Sequence, residues 1–140
     1  MSKFASLAIA VDAAARMIIK HPYSGLPIRD ADGNEAWIEL HSSDSEPARK
    51  AQRAITNGRL AMRNRNAVDA QRLETEGTEL LADLTVGWNL LSLDGEKIDV
   101  PFSRGNAVEL YADRHMAWIR EQVDAFVGDR ENFSKASSTS

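Results

Sequence analysis

Apolar and polar residues alternate with a period of two in three stretches of this chain and recur with a helical period in several others. Arg16 to Lys20 is the first alternating run, with Met17 and Ile19 on one face and Arg16, Ile18 and Lys20 on the other. His21-Pro22 ends it, because proline has no N–H to give to a sheet ladder. In the second run Ala36, Ile38 and Leu40 alternate with Trp37, Glu39 and His41. The stretch between is rich in turn formers: Pro22, Gly25, Pro27 and Asp30-Ala31-Asp32-Gly33-Asn34. Together they predict an antiparallel pair with a long connection and a tight turn at Asp32-Gly33. A third run, Trp88 to Leu93, reaches an Asp94-Gly95 turn and returns through Ile98 and Val100 to Pro101, the pattern of a second hairpin.

The helical stretches carry their own punctuation. Ser43-Asp44-Ser45-Glu46 has the S-x-x-E form of a capping box, and Pro47 suits a first turn whose N–H groups have no partners. Ala48, Ala51, Ile55, Gly58 and Met62 then share one helix face, thin enough for another backbone to approach closely. Asn64 to Asn66 breaks that run. A second helix is expected from Ala67 to about Thr85, with Leu73, Gly77, Leu80 and Leu84 in phase and Leu81 widening the stripe. Ser103 is a good N-cap for a third, running to about Tyr111 with Ala107, Val108 and Tyr111 inward. The last spans Arg114 to Val127, with Met116, Ile119, Val123 and Phe126 in phase and Gly128 as C-cap. The alanines of Leu7 to Ala14 also suggest a short helix.

These elements sum to an α+β fold. It is a single domain over residues 1–133, with two β-hairpins and about four helices including a helical hairpin. Phe133 is expected to dock, and residues 134–140 to form a disordered polar tail. A length of 140 residues suits one domain with a real core. Hydrophobic residues at 43% and charged residues at 27% exclude global disorder. The chain has no cysteine, which removes disulfides, thiol catalysis and zinc-thiolate sites and suits a reducing compartment. The apolar run Phe4 to Val11 is ended early by Asp12. It is too short for a secretory core or a membrane span, so a cytoplasmic, unprocessed protein is expected.

Charge adds one feature. From Pro47 to Val68 there are six basic residues (Arg49, Lys50, Arg53, Arg59, Arg63, Arg65) and no acid, whereas Asp69 to Asp83 holds five acids against Arg72 alone. The simpler reading is an antiparallel helical hairpin whose halves attract each other. The alternative is a basic face for nucleic acid, which the acidic helix and a net charge of -4 both disfavour.

Candidate chemistry is sparse. Asp30-x-Asp32-Gly33-Asn34 lacks most of a calcium loop and has His41 where the closing Glu should stand, so an Asx-Gly turn is expected and no metal or cofactor. His21, His41 and His115 show no ligand spacing, although His21 and His41 could meet across the first strand pair. No nucleophile elbow or phosphate loop is present, and a binding protein is favoured over an enzyme. Of Trp37, Trp88 and Trp118, all readable as core or core edge, Trp118 is the best anchor. It sits beside the buried stripe of the last helix, where binding hot spots can form. The partner-binding candidates are Trp118, Ile55, Met62, Arg59 and Arg63.

One family resemblance covers roughly His21 to Phe133. Trp88-Asn89-Leu90, Leu93-Asp94-Gly95, Pro101-Phe102-Ser103, Asn106-Ala107 and Trp118-Ile119-Arg120-Glu121-Gln122-Val123 resemble the small tail assembly chaperones of long-tailed phages. Lys20-His21-Pro22-Tyr23-Ser24-Gly25, Asp32-Gly33, Trp37-Ile38-Glu39-Leu40 and Asp44-Ser45 are similar to their N-terminal half. The resemblance implies a non-enzymatic protein of the host cytoplasm that binds the helical, aggregation-prone tape-measure protein and helps recruit tail tube protein. It implies no catalytic residues and no cofactor. Homo-oligomers are compatible with it. The alternatives are a structural component of the virion tail or neck, or a nucleic-acid-binding protein using residues 47–65.

Overall fold

The computed structural model describes residues 3–62 and 70–134. A three-stranded antiparallel sheet, in the order β1-β2-β3, is built from β1 (Ala15–Ile18), β2 (Trp37–Leu40) and β3 (Thr85–Asn89). β2 is central because it alone has neighbours on both sides, and Ala36, Ile38 and Leu40 are completely buried along it. The alternation read from the sequence therefore holds: Ile38, flanked by Met17 and Trp88, faces the helices. On the other face Arg16 bonds Glu39 directly across the strand pair at 3.2 Å, and its guanidinium lies 3.8 Å from the centre of the Trp37 ring. A register shift at Glu39/Leu40 leaves Val86 of β3 bulged outward.

The connection between β1 and β2 folds back on itself. Ile28 donates its N–H to the Ile19 carbonyl and accepts from the Ala36 N–H, so it is buried beside the sheet edge. The expected turn forms, with Gly33 at a φ of 84° and Asp30 Oδ1 accepting from the N–H groups of Asp32 and Asn34. Those bonds, the Asn34 N–H foremost, hold the Asp30 carboxyl below its usual range. The Asp30 loop is an Asx turn.

Among the described residues there are four α-helices: α1 (Glu46–Met62), α2 (Ala70–Leu84), α3 (Arg104–Ala112) and α4 (Ala117–Gly128). α1 and α2 form the expected helical hairpin, and the whole is one α+β domain. α2 runs without a break into β3, where Thr85 donates to the Leu81 carbonyl and lies 2.8 Å from the Tyr111 hydroxyl. Ser103 caps α3 by accepting from the Asn106 N–H at 3.0 Å, and Ala107 and Tyr111 face the core as the pattern predicts. In α4, Ile119, Val123 and Val127 are buried, and Phe133 docks edge-on against Phe126 at 5.3 Å.

Several expectations are corrected. The alanines of Leu7 to Ala14 do not make a helix; a single 3-10 turn over Ala5–Leu7 gives way to extended chain. That segment is held through Val11, whose carbonyl accepts from Ser42 Oγ, and through Asp12. Asp12 also overrides the capping box: its carboxylate takes the Glu46 N–H at 3.0 Å, while Ser45 accepts from Ala48, so Ser43 does not cap α1. In α2 the expected Leu81 and Leu84 are buried, but Leu73 is left 51% exposed and Thr78 and Ala82 complete the buried face. The second hairpin keeps its turn, but Leu91 and Lys97 form its only bridge among the described residues, and β3 pairs with β2 instead. Gly128 lies inside α4 and Asp129 is the cap, its carboxylate starting the next turn through the Glu131 N–H. His21 and His41 do not meet; His21 accepts from the Tyr23 N–H, and His41 Nδ1 lies 3.2 Å from the Asp12 carbonyl. The break at Asn64 to Asn66, the start of the second helix at Ala67 and the tail beyond Ser134 lie outside the described residues.

Candidate functional site

Two walls enclose an apolar groove of about 480 Å³ beside Trp118. One wall is the end of β3 with the loop that follows it, contributing Trp88, Leu90, Leu93, Ile98 and Val100. The other is the C-terminal half of α3 and the start of α4, contributing Leu110, Met116 and Trp118 above buried Ile119. Leu93, Ile98 and Val100 remain 39–46% exposed, an unusual amount of branched apolar surface for one loop. Among the described residues the lining carries two acids, Glu109 and Asp113, and no Lys or Arg.

Local sequence explains why the loop holds this shape. Ser92 and Glu96 close the Asp-Gly turn through the Ser92 N–H to the Glu96 carbonyl at 2.7 Å, and the Ile98 N–H donates to the Leu90 carbonyl at 3.1 Å. Gly95 is required at its tip twice over. Its φ is 87°, and a Cβ there would lie 2.3 Å from the Arg29 carbonyl oxygen. The loop is thus pressed against the β1–β2 connection. Its far end is pinned by Trp88, whose indole N–H donates to the Val100 carbonyl at 2.9 Å while its ring meets Phe102 edge-on at 5.2 Å. Asn106 of α3 donates to the Pro101 carbonyl at 2.9 Å and joins the two walls.

The opposite wall is fixed from below. Arg120 donates to Thr78 Oγ1 at 2.7 Å, to the Tyr111 carbonyl at 3.1 Å and to the Glu74 carbonyl at 3.3 Å, tying α4 to α2 and α3. Gln122 exchanges two bonds with the backbone of Lys20, at 2.9 and 3.0 Å, as a neighbouring strand would. At the bend between α3 and α4, Asp113 accepts from the His115 N–H at 2.9 Å and lies 3.0 Å from its ring nitrogen. That N–H, with the ring behind it, holds the Asp113 carboxyl below its usual range, so the groove rim is anionic at neutral pH.

The structure does not bring the expected partner-binding residues together. Trp118 is half-buried on the groove wall. Ile55 lies in a separate cleft between α1 and α2, of about 330 Å³, where Glu76, Glu79, Asp83, Arg72 and Arg104 face Ala51, Ala54 and Gly58. Arg59, one turn on along α1, is ion-paired with Glu76. Met62 is the last described residue of α1, and Arg63 lies outside the described residues. Leu90, Ile98, Val100 and Leu110 are groove residues that sequence reading did not single out, beside Met116 of the last helix's stripe and Trp88, one of the three tryptophans weighed as anchors. The one signal for them is that Leu93, Ile98 and Val100 crowd a short Asp-Gly turn with more apolar surface than a turn can bury.

Among the described residues no group of three or more His, Asp or Glu side chains is arranged to hold a metal ion, and no helix is long and apolar enough to cross a membrane. Comparison with protein-family models, with curated proteins and with solved structures finds no match for this chain.

Proposed function

We propose that this protein is a non-enzymatic tail assembly chaperone that takes a helical segment of the tape-measure protein into the groove beside Trp118. It acts in the host cytoplasm and helps bring tail tube protein to that complex. The observation that carries this reading is the groove itself, open and apolar, with one indole on each wall. An α-helix presents side chains at i, i+3 or i+4, and i+7, about 10 Å from first to last, and a groove of this kind accepts such a row. Covering Leu93, Ile98 and Val100 removes apolar surface from water at about 25 cal/mol per Å². That supplies the drive to shield an aggregation-prone partner. The sequence resemblance names the partner, and the groove supplies a surface suited to it.

Co-expression tests the proposal. The tape-measure protein encoded alongside is expected to stay soluble and to co-elute with this chain, and the finished virion to lack the chain by mass spectrometry. Aggregation of the tape measure regardless of this protein would sink the chaperone reading, and stoichiometric copies in virions would make the chain a structural tail or neck component. Binding to nucleic acid that falls steeply with salt would favour residues 47–65 as the working surface instead.

A further inference from the structure

We infer that the groove beside Trp118 selects an amphipathic helix whose apolar stripe is flanked by lysine or arginine. This rests on the reading of the groove as a docking site and adds the charge of its occupant. Glu109 and Asp113 stand one helical turn apart on the groove side of α3, a spacing at which like charges repel. Glu109 also stands in the last turn of α3, near the negative pole of the helix, and that turn holds no basic residue. Of the two, Glu109 stands where its own helix disfavours a carboxylate, while Asp113 caps the turn that follows and is stabilised as an anion by the His115 N–H.

Nearby cations do not cancel this. Arg104 is engaged by Asp83 at 2.7 Å, Arg120 is committed to Thr78 and to backbone carbonyls, and Arg114 lines no part of the groove. Among the described residues Glu109 has no ion-pair partner, whereas Asp113 lies 3.0 Å from the His115 ring nitrogen and also feels the charge of Arg114. The charged residues of the loop forming the other wall, Asp94, Glu96, Lys97 and Asp99, do not line the groove either, so its carboxylates are Glu109 and Asp113. An apolar floor under an anionic rim complements a helix with Leu, Ile or Met along its centre and Lys or Arg at its edges. A partner with acidic flanks meets like charge and is rejected.

The test is a pair of synthetic helices of roughly five turns with one shared Leu-rich stripe, flanked by Lys in one and by Glu in the other. Titration calorimetry against the full chain is expected to show the Lys-flanked peptide binding at least about tenfold tighter at low salt, with the gap narrowing as ionic strength rises. The double variant Glu109→Gln, Asp113→Asn is expected to lose most of that preference while keeping the helical signal of the native protein. Equal binding of the two peptides, or a preference untouched in the double variant, overturns the charge inference and leaves the groove standing. If neither peptide binds, the inference also fails. The groove itself falls only if Trp118→Ala, still folded, also holds the full-length tape measure as tightly as the native chain does.

Discussion

The two clefts of this protein are satisfied in opposite ways. Between α1 and α2 the walls are charged, and the charges answer one another: Glu76 lies between Arg59 and Arg72, and Asp83 holds Arg104. Beside Trp118 the walls are apolar, and among the described residues Glu109, in the last turn of α3, has no ion-pair partner. The first cleft has its interactions inside the chain. The second leaves exposed branched side chains and uncompensated charge, the conditions under which a partner gains most by binding. A surface rich in charge is thus not the better candidate for recognition here; the surface whose chemistry is unfinished is.

The largest effect expected from this contrast is on partner affinity. Trp118→Ala should weaken tape-measure binding by at least about 2 kcal/mol, roughly 30-fold, as truncation of a central aromatic anchor does. Ile55→Ala, in the other cleft, should leave affinity within about threefold. Calorimetric titration of both variants decides the matter. Equal losses at Trp118 and Ile55 would break the comparison, since both clefts would then be engaged.

The next effect is on the scaffold under the groove. Arg120→Met keeps most of the side-chain stem but strips three bonds, leaving buried Thr78 and the Tyr111 carbonyl without that donor. Unfolding in urea should show a loss of about 2–3 kcal/mol, the range for bonds from a charged donor. A loss within experimental error would mean that α4 is held by its apolar face alone.

A smaller effect tests the same junction by pH. Burial pushes the Tyr111 phenol up to about 12, against an opposing contribution from the Thr85 hydrogen bond. The unfolded phenol ionises near 10, so between about pH 10 and 12 the unfolded chain has shed a proton that the folded chain retains. Stability tied to Tyr111 is therefore whole below pH 10 and falls as pH rises toward 12. Tyr111→Phe should cost about 1 kcal/mol at neutral pH and flatten that alkaline decline. A decline as steep in the variant as in the native protein would place its cause elsewhere.

What could be read from sequence follows the same division between local and distant causes. β2 was legible to the residue because a central strand buries one face completely, and Ile38 and Leu40 must alternate with Trp37 and Glu39. The Ser103 cap was legible because its bond reaches only to Asn106. The start of α1 was legible only in part: Ser45 caps it locally through the Ala48 N–H, but the Glu46 N–H expected to go to Ser43 goes to Asp12, from another segment. On α2 the expected Leu81 and Leu84 are buried and Leu80 packs against the core, but Leu73 is exposed, and buried Thr78 is bonded to Arg120, a residue no periodicity connects to it. The place of Trp118 at the edge of its stripe could be inferred from spacing. The loop facing it could not, because a helical repeat says which side is apolar and nothing about what stands opposite.

The smallest expected effect sharpens the comparison from its other side. Arg59 reaches Glu76 with Nε at 3.2 Å as well as through its terminal nitrogen, and this hydrogen bond is the leading cause that raises the guanidinium pKa and lowers the carboxyl. The sign is simple: a carboxyl depressed in the fold adds stability above its unfolded pKa, and that stability is lost as acid protonates it. Yet Arg59 is 40% exposed, so solvent and salt screen the pair. Arg59→Ala and Glu76→Ala should each move the melting midpoint by no more than about 5 °C, with a coupling in the double variant that fades as salt is added. Neither should alter partner affinity. A salt-independent coupling would show the α1–α2 cleft to be more closed than its exposure implies. A loss of partner binding with the fold intact would move recognition onto α1 and reverse the assignment of the two clefts.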